Sequence, residues 1–138
     1  MAWKHYDKLV RDKIPAIIKK DGKQCIIDKI PKRNYCYVLH CKLEEESEEL
    51  EQAKETNNIE AIIEELADVC EVFNILKKLG YATPRANELY TKAFIYIDTN
   101  KISTKDILLM QKKKRKEKGA FKKRIYLRSA EEVTQRNI

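Results

Sequence analysis

Glutamates crowd one short stretch of the chain, with six in the eight positions from Glu44 to Glu51, in and just after the segment KLEEESEEL. Wound as an α-helix, Glu46 and Glu49 lie about 60° apart on one face, and Glu45 comes within about 40° of Glu49. A second acidic word, EELADVCE from Glu64 to Glu71, repeats the i, i+3 relation at Glu65 and Asp68. Carboxylates gathered near an apolar wall must gain protons or a cation. With oxygen as the only donor, and no His or Cys at matching spacing, a hard ion such as Mg2+ or Mn2+ is favoured over Zn2+.

The competing reading is a charged outer face, the usual meaning of a run of glutamates on a helix. Two details weigh against it. A solubilising helix places Lys four residues after Glu, whereas here Glu44 and Glu45 are followed at that distance by Glu48 and Glu49, which repel. Glu65 and Asp68 also stand among Leu66, Ala67, Val69 and Cys70, at the edge of a core.

The elements that must position these acids are helical. Tyr35, Val38, Leu39, Leu43, Leu50 and Ala53 recur near a 3.6-residue period and predict an amphipathic helix from about Asn34 to Glu55. Asn57 followed by Glu60 reads as a capping box that opens a second long helix ending before Gly80. The short turn between the two makes them antiparallel neighbours, so the acidic pairs face each other. Thr83-Pro84 opens a third helix, and Ser103 with Asp106 opens a fourth. Before the acidic region, DKIPAIIKKDG predicts a short helix and KQCIIDKIP a short strand. RIYL, Arg124 to Leu127, predicts a strand paired with that one. The class expected is mostly α, with a short strand pair between the N- and C-terminal parts.

Charge is segregated along the chain. The formal net charge is +7, yet Glu44 to Glu71 holds twelve acids against the single base Lys54. Lys112 to Arg128 holds ten Lys or Arg against Glu117. A basic block beside an acidic centre suits a metal–phosphate ligand, although such a block alone also fits a nucleic-acid patch. No apolar run is long enough to span a membrane, and MAWKHYDKLVRDK lacks the apolar stretch of a signal peptide, so a cytoplasmic address is expected. Cys25, Cys36, Cys41 and Cys70 are irregularly spaced and predict reduced thiols.

EESEE followed by ELAD fits the EExxE…ExxD signature of the all-α nucleoside triphosphate pyrophosphohydrolases, the superfamily of MazG, the dimeric dUTPases and phosphoribosyl-ATP pyrophosphohydrolase. YDKLVRDKIPAII and KRKEKGAF resemble the opening and closing words of its small house-cleaning branch. The resemblance implies a MazG-like four-helix bundle and cleavage of non-canonical or surplus nucleoside triphosphates to the monophosphate and pyrophosphate. It matches Glu46, Glu49, Glu65 and Asp68 to the Mg2+ ligands and gives Glu45 a role at the attacking water. Lys8, Arg11, Lys13, Lys114 and Lys118 become candidates to grip phosphate, with ordinary surface charge as the alternative. Phe121 becomes a candidate to stack on a base, with core filling as the alternative.

One domain over residues 1–128 is expected, with an insertion at 81–101 relative to the resembling branch and a tail at 129–138. The wide apolar arc of the second long helix, together with the resemblance, implies a homodimer or dimer of dimers built on Asn58 to Leu79 and Pro84 to Ile97. Two other enzymatic or binding readings stand beside the first. Phosphoribosyl-ATP hydrolysis is disfavoured by the opening word. A basic nucleic-acid-binding module lacks any recognisable reading motif, and the acidic segment would repel a phosphate backbone. A helical interaction protein without catalysis is a third, against which stand the intact acidic positions.

Overall fold

The computed structural model describes residues 2–132. Among them the order is β1 (Trp3–Val10), α1 (Ile14–Lys20), β2 (Cys25–Lys29), α2 (Lys32–Lys54), α3 (Ile59–Lys78), α4 (Pro84–Thr99), α5 (Thr104–Lys118) and β3 (Ile125–Glu131). The chain is thus mostly helical, with one small antiparallel sheet ordered β1-β3-β2. It divides into two compact units. One is Leu39–Lys113, and the other is drawn from the chain on both sides of it. None of the described helices is long and apolar enough to cross a membrane.

The sheet unit has a core of Val10, Ile14, Ile18, Leu127 and Ala130. Its central strand is β3, which pairs with β2 as expected and also with β1, a strand the sequence reading did not anticipate. In WKHYDKLV the two-residue alternation is broken between His5 and Lys8, where the register shifts and Asp7 adopts a positive φ of 47°. A bulge of this kind puts an extra residue into one strand and spoils the period by which strands are recognised. β3 also continues past Leu127, so Ser129 and Ala130, assigned above to a tail, are buried in the strand. The rest of that expected tail, 133–138, lies outside the described residues.

Two words distant in sequence interlock in this unit. The Asp12 amide donates to the Ala120 carbonyl (2.7 Å) and the Lys13 amide to that of Lys118 (3.0 Å). Arg11 Nη1 donates to the Gly119 carbonyl (3.0 Å), and the Asp12 carboxylate accepts from the amides of Lys122 and Lys123. Gly119 sits at φ 92°, and a Cβ there would stand 2.8 Å from the Lys13 nitrogen. Glycine suits both demands, since the close backbone approach leaves no room for a Cβ and the positive φ strains any residue that carries one.

In the helical unit, α3 begins one residue later than the capping box suggested. Asn58 is the N-cap, its side chain accepting from the amides of Glu60 and Ala61, while Asn57 takes a positive φ of 57° in the turn. α4 starts where Thr83-Pro84 placed it, with Thr83 Oγ1 accepting from the Ala86 amide (3.2 Å). The same hydroxyl is hydrogen-bonded to His40 Nε2 on α2 at 2.9 Å. α4 lays Ala86, Leu89, Ala93 and Ile97 into the core and stacks Tyr90 on Phe73 of α3, with ring centroids 4.1 Å apart. α5 joins α3 through Gln111 Nε2, which donates to Glu71 Oε1 (3.1 Å) in the interior. All four cysteines are free thiols.

Candidate metal centre

Leu39, Leu43 and Leu50 anchor the apolar face of α2, while Leu66, Val69 and Val72 anchor that of α3. The carboxylates at the margins of these faces converge in two triads. Glu45, Glu46 and Glu49 bring oxygens within 4.8 Å of one another, and so do Glu46, Glu65 and Asp68. Glu46 belongs to both. It is only 5% exposed, and its Oε2 is buried with no hydrogen-bond partner.

A base that the sequence reading passed over lies among these acids. Lys42 is 6% exposed, and its Nζ is 3.0 Å from Glu46 Oε1 and 3.3 Å from Glu45 Oε2. It stands three and four residues before its partners, on the same face as Leu39 and Leu43. That spacing is legible in the sequence, although Lys42 stands just ahead of the stretch from Glu44 that holds the acids. Burial opposes the charge on Lys42, yet Glu46, Glu45 and Asp68 together hold its ammonium above the ordinary lysine range. Burial likewise opposes the charge on Glu46, but the Lys42 ammonium outweighs it and keeps this carboxyl below its ordinary value. Glu49 goes the other way. Burial, then the neighbouring charges of Glu46 and Glu45, push it up to about 7.

The remaining glutamates of the run face α4. Arg85 Nε and Nη2 donate to the two oxygens of Glu44 (2.7 and 3.0 Å), and Lys92 lies 2.8 Å from Glu51. These bases, also missed from sequence, lie in the segment read as an insertion. With Glu44, Glu45, Glu48 and Glu51 they border an open cleft of about 450 Å3. One helix thus carries two acidic faces, of which the outer is neutralised by α4 and the inner forms the triads.

The other sequence candidates all lie in the sheet unit. Lys8 is on β1, with its ammonium 6.0 Å from the Tyr6 ring. Arg11 is buried and stacks its guanidinium 4.9 Å from the Phe121 ring, and Phe121 itself is 4% exposed. Lys13 Nζ donates to the Lys116 carbonyl (2.7 Å), serving the C-terminal end of α5. Lys114 and Lys118 are half-buried on α5. Tyr35 donates its hydroxyl hydrogen to the Phe121 carbonyl, which further fixes that residue's backbone.

Carboxylates this close can share protons or hold a cation, and a chain that kept them ionised without either would repel itself. Comparison with protein-family models, curated protein sequences and solved structures finds no match to this chain.

Proposed function

We propose that the helical unit binds Mg2+, or Mn2+ in its place, through Glu46, Glu49, Glu65 and Asp68, and hydrolyses non-canonical or surplus nucleoside triphosphates to the monophosphate and pyrophosphate. The observation that carries this reading is the pair of triads sharing Glu46, with one oxygen of that residue buried and unpartnered. A buried anionic oxygen left in this condition is costly, and a hard cation relieves it. The all-oxygen donor set fits such an ion and gives no sulfur or imidazole to a softer one.

Mg2+ supplies charge neutralisation of the triphosphate and a bound water acidic enough to attack near neutral pH. The chain's own residues bind and orient. Lys42 fixes the carboxylates of Glu45 and Glu46 in place. Glu45 retains partial exposure, 27% for its side chain, and is the residue assigned to orient the attacking water and take its proton. Glu49 holds a proton near neutrality and releases it when a cation arrives. The cleft between α2 and α4 lies within the size range of small-molecule sites and receives the substrate beside Glu45. The four-helix arrangement of the resembling superfamily and a two-fold homo-oligomer belong to the same proposal. Exposed Leu79, Tyr81, Phe94 and Ile95 support assembly through the ends of α3 and α4.

A panel of canonical and modified nucleoside triphosphates, assayed with Mg2+ for pyrophosphate release, tests the reading. Glu65→Gln and Asp68→Asn are expected to lower turnover by about 100-fold or more, beyond what loss of an outer-shell partner costs, with the circular dichroism spectrum unchanged. Full activity in both variants, or no Mg2+-dependent release from any nucleotide, overturns it.

A further inference from the structure

The two units carry opposite net charge. The sheet unit, Met1–Val38 with Lys114–Ile138, holds nineteen Lys or Arg against seven Asp or Glu, while Leu39–Lys113 holds ten against fifteen. The acidic segment that repels a phosphate backbone thus belongs to the helical unit, and the sheet unit by itself attracts one.

Bases gather at one end of the sheet. Val10, Ile125 and Lys29 stand in register, so β1 and β2 finish where β3 begins. Just past that line the Ile30 amide donates to the Arg124 carbonyl and Arg124 Nε to the Ile30 carbonyl, each at 2.8 Å. These bonds set Lys122 and Lys123, which precede β3, beside the segment that leads from Lys29 into Lys32 and Arg33. All five of these side chains are exposed. Two neighbouring acids are already engaged, since Asp12 accepts from the amides of Lys122 and Lys123 and Asp28 pairs with Arg128. α2 opens here on Lys32 and Arg33 with no acid in its first turn, although the helix dipole favours acids there.

Other bases of the unit serve the fold, as Arg11, Lys13 and Arg124 do by donating to carbonyls. Lys122 and Lys123 are built the other way, with their amides held by Asp12 and their side chains exposed. Cations fixed in this way repel one another and gain from a ligand that brings several negative charges at once. A phosphodiester chain does so, with a charge on every nucleotide and release of condensed counterions on contact. A small phosphate compound reaches only part of the row, which runs from the loop before β3 to the first turn of α2.

We propose that this end of the sheet unit binds a nucleic-acid strand by its phosphates, without reading its bases. This activity is separate from the carboxylate site and needs no divalent ion.

Fluorescence anisotropy of a labelled strand of about 20 nucleotides, titrated with the full chain in EDTA, tests the proposal. Five phosphate contacts predict that log K falls against log salt with a slope of about −3.5 on a single strand and −4.5 on a duplex. Affinity should then drop about 50- to 150-fold between about 50 and 150 mM salt. Lys122→Gln with Lys123→Gln is expected to weaken binding about 10-fold or more at low salt and to flatten the slope by about 1.5, with the circular dichroism spectrum unchanged. If that variant does not fold, Lys32→Gln with Arg33→Gln is the pair measured. Lys77→Gln with Lys78→Gln removes as much charge from exposed positions of the helical unit and should leave both quantities as they are. Equal weakening by the two pairs would show that the strand follows net charge and not this surface, which overturns the proposal. No binding at about 50 mM salt overturns it as well, as does a preference above about 100-fold for one base sequence. Full displacement of the strand by micromolar inorganic tripolyphosphate would assign the surface to a small phosphate ligand instead.

Discussion

The sheet unit and the helical unit both carry dense charged words, and the fold treats them in opposite ways. In the sheet unit Arg11, Asp12 and Lys13 are absorbed by backbone or ring. Arg11 meets the Gly119 carbonyl and the face of Phe121, Lys13 meets the Lys116 carbonyl, and Asp12 takes the amides of Lys122 and Lys123. In the helical unit carboxylates face carboxylates, one lysine answers for two of them, and an oxygen of Glu46 is left buried without a partner. A dense charged word can therefore close a fold or leave chemistry to be completed from outside. Spacing alone does not tell which.

The sharpest way to break this contrast is at Gly119. If the RDK and KGAF words are structural, Gly119→Ala forces a Cβ against the Lys13 nitrogen at a positive φ and destabilises the chain by about 3 kcal/mol, read by urea unfolding. Mn2+ affinity below the unfolding transition should stay within about twofold. A large loss of affinity with stability intact would reverse the assignment of roles.

A smaller effect, with a definite sign, belongs to Glu49. Its folded value, about 7, lies above the ordinary 4.5, so the folded state holds the proton more tightly. The stability this contributes is fully present below about pH 4.5 and is lost as pH rises through 7. Without divalent ion the melting temperature should fall across that window by about 2–5 °C, discounted for the partial exposure of the group, and Glu49→Gln should flatten the fall. Glu46, held low, acts with the opposite sign below 4.5, and Lys42, held high, acts only above 10.5, so neither obscures the measurement. Ion binding should also release more protons at pH 6 than at pH 8, as calorimetry in buffers of different ionisation enthalpy would read. A rise in ion-free stability from pH 5 to pH 7.5 that Glu49→Gln abolishes would contradict the direction given.

The least effect is expected on the outer acidic face. The Arg85–Glu44 and Lys92–Glu51 pairs are exposed, so Arg85→Ala and Lys92→Ala should each shift the melting temperature by no more than about 2 °C, and less in high salt. A drop of many degrees would mean that α4 is held on by these ions and not by its buried Ala86, Leu89, Ala93 and Ile97.

Helical content was the most readable property, because the apolar period and the caps agree. Thr83-Pro84 marked the start of α4 to the residue, while two adjacent asparagines left the start of α3 uncertain by one, and the backbone chose Asn58 over Asn57. β1 escaped because a bulge interrupts its alternation, and the length of β3 escaped because Ser129 and Ala130 have the look of a tail and only pairing on both sides makes them strand. At the site, the convergence of Glu46, Glu65 and Asp68 followed from i, i+3 spacing on antiparallel helices. Lys42 did not, because a lone lysine before an acidic run reads as solvated charge, and only its burial shows otherwise. Arg11 and the Phe121 ring it stacks on lie more than a hundred residues apart, beyond the reach of any local period.

That separation has a consequence for how the chain comes to be folded. β1 and β2 need β3 between them, and Asp12 needs the backbone at Ala120, so strands made first wait for the strand made last. During synthesis at about 5–20 residues per second, the segment from Leu39 to Lys113 is complete and can collapse on itself before the sheet can close. Closing it joins segments about a hundred residues apart or more, the kind of long-range pairing that slows folding. Emergence of β3 is thus the event that lets β1 and β2 find their neighbour, and a nascent chain halted before Lys114 would carry both of those strands with the strand that pairs with them still unmade.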